Sequence, residues 1–101
     1  MNFGLNDKEF SILRSIFSTH LSSGSVIVYG SRAKGTHGSR SDIDLVIKDS
    51  AVLDDNLLYK IVNEIDESDF PYLVDLQYYE KIKNPALIQH IDRVGEVIYQ
   101  K

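Results

Sequence analysis

Apolar positions recur along the chain with two different periods, and the change from one to the other outlines the fold. Between Asp7 and about His20, the residues Phe10, Leu13, Phe17 and then Leu21 fall three or four apart. That spacing predicts one face of a helix, opened by Asn6 or Asp7 as its cap. After the turn Ser22-Ser23-Gly24, the β-branched run Val26, Ile27, Val28, closed by Tyr29, reads as a short buried strand that Gly30 ends. Residues 30–41, GSRAKGTHGSRS, carry no large apolar side chain and predict an exposed loop with at most one helical turn after Ser31. A second strand runs over residues 42–47, where alternation sends Ile43, Leu45 and Ile47 to one face and both Asp42 and Asp44 to the other.

The second half repeats the alternation of elements. Asp54 or Asp55 caps a predicted helix with an apolar stripe of Leu58, Ile61, Val62 and Ile65, ending in the acidic turn 66–69. Beyond Pro71, residues 72–78 predict a strand with Tyr72, Val74, Leu76 and Tyr78 on one side and Leu73, Asp75 and Gln77 on the other. Asn84-Pro85 opens a last helix through Leu87, Ile88, Ile91 and Val94 to Gly95, and Val97 to Tyr99 forms a closing strand. This order predicts an α/β (α+β) fold, a small mixed β-sheet with helices packed on it. Strand order is not readable from the pattern.

Composition narrows the class. At 101 residues and 11.5 kDa the chain has the size of one domain, residues 1–101. It is 43% hydrophobic and 26% charged, near the average for a globular protein. The absence of cysteine excludes disulfides, thiolate metal sites and a cysteine nucleophile, and points to a reducing compartment. No secretion signal and no apolar run long enough to span a membrane is seen, so a cytoplasmic location is expected. Of a net charge of −4, residues 30–41 hold +3 through Arg32, Lys34 and Arg40, leaving −7 on the rest. So small a basic island suits a compact anion such as a triphosphate better than duplex nucleic acid.

The candidate chemistry rests on three carboxylates and one loop. Asp42 and Asp44 project together from a strand that otherwise looks buried, and charges there call for a partner or a cation. Magnesium takes oxygen ligands, using one or two carboxylates with water and phosphate in the other positions. Asp75 repeats the anomaly, and if its strand lies beside the first, three carboxylates converge where two metals could clamp an in-line displacement at phosphorus. The plain alternatives are a strand-edge cap for Asp42, a solvent-facing side chain for Asp44 and a salt-bridge partner for Asp75. Gly30 and Ser31, directly after a strand, offer backbone N–H groups and a hydroxyl to phosphate oxygens, with Arg32 and Lys34 as positive charges. A P-loop is excluded, because Gly35 is followed by Thr36 and His37 rather than by lysine and a hydroxyl residue. His37 lies in this Gly-rich loop beside the site, as a phosphate contact or an exposed residue without a specific role, whereas His20 and His90 fall in helices and read as surface or helix-end residues. Tyr72, Tyr78, Tyr79 and Tyr99 read mostly as core or interface, with stacking on a nucleotide base as the alternative.

Together, Gly30-Ser31-Arg32-Ala33-Lys34-Gly35, Ser41-Asp42-Ile43-Asp44-Leu45 and Val74-Asp75-Leu76 resemble the signature of the minimal nucleotidyltransferases, in the DNA polymerase β-like superfamily. The resemblance extends over nearly the whole chain. It implies the polymerase β-like palm fold and binding of the nucleotide triphosphate by Gly30 and Ser31, with Arg32, Lys34 and Ser41 beside them. It implies a two-metal magnesium site on Asp42, Asp44 and Asp75, with ATP as substrate. Asp75 would ligate the second metal and help deprotonate the attacking hydroxyl, which displaces pyrophosphate from the α-phosphate.

Larger members of the superfamily add a helical recognition segment, and the acceptor surface is expected here from a separate HEPN-type helical toxin. The resemblance then implies transfer of AMP from ATP to a tyrosine hydroxyl of that toxin, which makes this chain its antitoxin, in a homo- or hetero-oligomer and without a membrane or direct nucleic-acid contact. Two alternatives stand beside it: a non-catalytic antitoxin that occludes its partner sterically, and nucleotidylation of a small molecule with a helper subunit.

Overall fold

The computed structural model describes residues 3–36, 38 and 41–101. Helix α1 (Asp7–His20) opens on Asn6, whose side chain accepts the Glu9 N–H while the Glu9 carboxylate accepts the Asn6 N–H, a reciprocal capping box. Strand β1 (Ser25–Tyr29) leads directly into a five-residue helix α2 (Gly30–Lys34), so the expected helical turn begins at Gly30. Strand β2 (Ile43–Lys48) follows, then α3 (Asp55–Glu67), capped by Asp54. Strand β3 (Val74–Tyr78) runs into a 3₁₀ turn at Tyr79–Lys81 that periodicity does not reveal. Helix α4 (Pro85–Val94) starts with Pro85 after the Asn84 cap, and β4 (Glu96–Gln100) ends the order.

The four strands form one mixed sheet in the order β3-β2-β1-β4. β1 pairs antiparallel with both β2 and β4, and β2 pairs parallel with β3. A parallel pair cannot be joined by a tight turn, and α3 supplies the crossover between β2 and β3. One face of the sheet carries Val26, Val28, Ile43, Leu45, Ile47, Leu76, Tyr78 and Ile98, all buried with Leu13, Phe17, Ile61 and Ile65 of α1 and α3. On the opposite face, Tyr29 and Val46 are buried against Ile91 of α4, with Ile27, Leu87 and Val94 around them. Asp44, Asp75 and Gln77 alternate onto this second face, away from the main core. Among the described residues, no helix is long and apolar enough to cross a membrane.

Candidate active site

Register alone brings the carboxylates together. In the parallel β2–β3 pair Asp44 is the direct partner of Asp75, and in the antiparallel β1–β2 pair it is the partner of Tyr29. Side chains on directly paired residues share a face, so Asp44, Asp75 and Tyr29 stand side by side. Asp42, just before β2, is two residues from Asp44 and on its side of the strand. Asp42 and Asp75 are exposed and Asp44 is half-buried. The β3 strand thus lies beside β2, with Asp75 next to Asp44 and Asp42 two residues along the chain from it. Gly30 follows Tyr29 on the neighbouring strand, and a Cβ on it would lie 2.3 Å from Asp44 Oδ2. With φ at +76° as well, this position accepts only glycine.

The electrostatics follow from this crowding. Burial, then the charges of Asp75 and Asp42, push the Asp44 carboxyl above its ordinary range, while His90 pulls the other way. Burial, then Asp75 and Asp44, push the Tyr29 phenol up to about 12, opposed by a hydrogen bond from Gln77. Among the described residues none of the three carboxylates makes an ion pair. Among the described residues, negative charge thus accumulates here without an ion-paired cation. Nor, among the described residues, does any group of three His, Cys, Asp or Glu side chains stand ready to hold a metal ion. The donor set is nonetheless all-carboxylate and open to solvent, which fits magnesium, since that ion keeps water and phosphate oxygens in most of its positions.

The loop residues divide into two groups. Gly30 and Ser31 are half-buried beside Asp44, and Lys34 is exposed. Arg32 is different: it is 1% exposed, and its guanidinium is turned into the protein. Nε and Nη2 donate to the Ser41 carbonyl at 3.1 and 2.7 Å, Nη1 donates to the Phe3 carbonyl at 2.8 Å, and the group lies 4.2 Å from the Tyr72 ring centre. Expected among the phosphate-site charges, Arg32 here ties the loop to the segment leading into Asp42. Ser41 takes part through its carbonyl, and its Oγ accepts the Gly38 N–H. His37 and Arg40 lie outside the described residues.

Sequence reasoning passed over His90. Its Nε2 accepts the Gly30 N–H at 3.1 Å, and its ring stands edge-on to Tyr29, with centres 6.1 Å apart. The Tyr29 hydroxyl in turn accepts from Gln77 Nε2 at 3.2 Å. A signal existed: His90 falls three residues after Leu87 and four before Val94, on the stripe of α4 that meets the sheet. Next to Asp75, a groove of about 370 Å³ between α3 and β3 is lined by Leu58, Tyr59, Val62 and Val74. The larger groove, about 890 Å³ between α1 and β4, lies away from the carboxylates.

The family model for "Polymerase beta, Nucleotidyltransferase" matches residues 12–101. No curated protein matches the sequence. Among solved structures, a toxin-antitoxin with AMP-PNP superposes with a TM-score of 0.73 at 20% identity, over 96% of this chain and 75% of that one. A mutant of the toxin-antitoxin MntA-HpeT gives 0.70 at 19% identity, over 96% and 75%. A tri-AMPylated Shewanella oneidensis HEPN toxin in complex with MNT antitoxin gives 0.69 at 15% identity, over 96% and 74%. Likeness at this level of identity establishes a shared fold.

Proposed function

From the premise that this chain belongs to the polymerase β nucleotidyltransferase family, we propose that it transfers AMP from ATP to a hydroxyl, most simply a tyrosine, of a HEPN-type partner toxin, acting in the cell as that toxin's antitoxin. The observation that carries this reading is the register pair Asp44–Asp75 beside Gly30, with Asp42 two residues away. Three carboxylates that make no ion pair among the described residues suit cations that arrive with an anionic substrate. The choice of acceptor is supported by structures of similar fold, two of which are a toxin-antitoxin with AMP-PNP and a tri-AMPylated HEPN toxin in complex with MNT antitoxin.

In this reading Asp42 and Asp44 would hold magnesium, with Asp75 as the third carboxylate beside them. Bound magnesium supplies positive charge against the triphosphate and the departing pyrophosphate. Gly30 lets the turn pass close to Asp44 without a side chain in the way, Ser31 donates its hydroxyl, and Lys34 adds charge from the rim. The acceptor oxygen attacks the α-phosphorus in line, and its proton passes to the Asp75 carboxylate. The bond from the α-phosphorus to the bridging oxygen breaks, and pyrophosphate leaves with that electron pair. Positioning and charge do most of the work, so the protein forms no covalent link of its own.

The test is intact-protein mass spectrometry of the complex of this chain with its partner after incubation with ATP and magnesium, against Asp42→Asn and Asp44→Asn controls. One or more AMP masses should be added to the partner by the native chain and none by the controls. Neutralisation of the toxin by the double variant, without any added mass, would refute transfer and leave steric occlusion as the mode of action.

A further inference from the structure

The β1–β2 ladder ends at the pair Tyr29–Asp44, and the next amide, that of Gly30, finds its acceptor on α4 rather than in the sheet. A neutral imidazole accepts at only one ring nitrogen. Acceptance at Nε2 therefore fixes the hydrogen of His90 on Nδ1. The ring is held from the other side by its edge-on contact with Tyr29, whose hydroxyl is anchored by Gln77 of β3. Helix α4 thereby reaches the turn that links the first strand to the loop, at the residue where an added Cβ would collide with Asp44.

We infer that His90 is a positioning residue for the nucleotide site: it holds the Gly30 amide so that the Gly30–Ser31 turn is preformed, and it leaves Ser31 as the first donor of that turn toward the triphosphate. This rests on the proposed reading of the turn as a phosphate site. Gly30 sits at φ +76°, a conformation a glycine leaves easily when nothing retains it. A bond from a half-buried histidine retains it at little entropic cost, because the ring already packs on Tyr29. The role adds to those of the three carboxylates, since His90 meets backbone and not substrate.

The test compares His90→Gln, whose amide oxygen can stand where Nε2 stands, with His90→Phe, which keeps the ring packing and removes the acceptor. Affinity for a non-hydrolysable ATP analogue with magnesium is read by calorimetry. The Gly30 amide shift and the His90 ring tautomer are read by ¹⁵N NMR without nucleotide. Loss of one net hydrogen bond predicts analogue binding about fivefold to tenfold weaker in His90→Phe and within about twofold of native in His90→Gln. The Gly30 amide should shift in His90→Phe only, and thermal melting should fall by a few degrees in that variant alone. Native affinity in His90→Phe, or equal loss in the two variants, would overturn the inference. So would a native ring that carries its hydrogen on Nε2. Failure of the native chain to bind the analogue would refute the proposed function instead, because the tautomer and the Gly30 shift report the hydrogen bond without nucleotide.

Discussion

Replacing Asp44 by asparagine should stabilise the protein in the absence of metal and abolish transfer in its presence. Asp44 and Asp75 are register partners on adjacent strands, which places their backbones about 5 Å apart. Two unit charges at that separation repel by about 0.8 kcal/mol at the dielectric of water. Asp75 is exposed, so the water-side value applies, and 0.1 M salt trims it to about 0.5 kcal/mol. The burial of Asp44 acts in the same direction. Removing both terms should stabilise the apo protein by about 0.5–1 kcal/mol, which for a chain of this size raises Tm by about 2–8 °C.

The pH dependence has a definite sign. Because the Asp44 carboxyl titrates above its ordinary 3.8 in the folded state, folding takes up a proton in that range, and the penalty grows as pH rises through the folded value. The advantage of the asparagine variant should be full at pH 7, shrink as pH is lowered toward 4, and shrink again in high salt. Circular dichroism melts in EDTA measure it, and magnesium with an ATP analogue should stabilise the native chain alone. A variant that melts at or below the native temperature in EDTA at pH 7 would refute the view that the carboxylates are held together against their mutual repulsion.

Two further substitutions test the frame of the site. Gly30→Ala places a Cβ 2.3 Å from Asp44 Oδ2 at a positive φ; it should lower stability by about 1–3 kcal/mol and cut transfer at least tenfold, read by melting and by AMP incorporation. Arg32→Met leaves the Ser41 and Phe3 carbonyls without their donor and removes the stacking on Tyr72; urea unfolding should show a loss of about 3–5 kcal/mol, and a loss below about 1 kcal/mol would refute the anchoring role.

Much of the site was legible because strand alternation is a local property: Asp42 and Asp44 on one side, with Ile43, Leu45 and Ile47 opposite, follow from period two alone. The helices were legible for a similar reason, since caps such as Asn6, Asp54 and Asn84 act on their own first turns. Arg32 shows where locality fails. In composition it belongs to a basic island, yet its acceptors are carbonyls 9 and 29 residues away that only the folded chain brings near. His90 fails in the same way, meeting Gly30 at a separation of 60 residues.

The helix that supplies none of the three carboxylates decides whether they meet. In an antiparallel pair the end of β1 lies beside the start of β2, which puts Gly30 next to Asp44. Asp75 also lies at the start of its strand, so it reaches the same end of the sheet only if β3 runs parallel to β2. A tight hairpin between those strands would have carried Asp75 to the opposite end. The crossover through α3, anchored by Ile61 and Ile65 in the main core and by the bonds of Tyr78 to the Asp54 backbone, enforces the parallel direction. The stripe of apolar residues on α3 is thus as necessary to the candidate site as the carboxylates themselves.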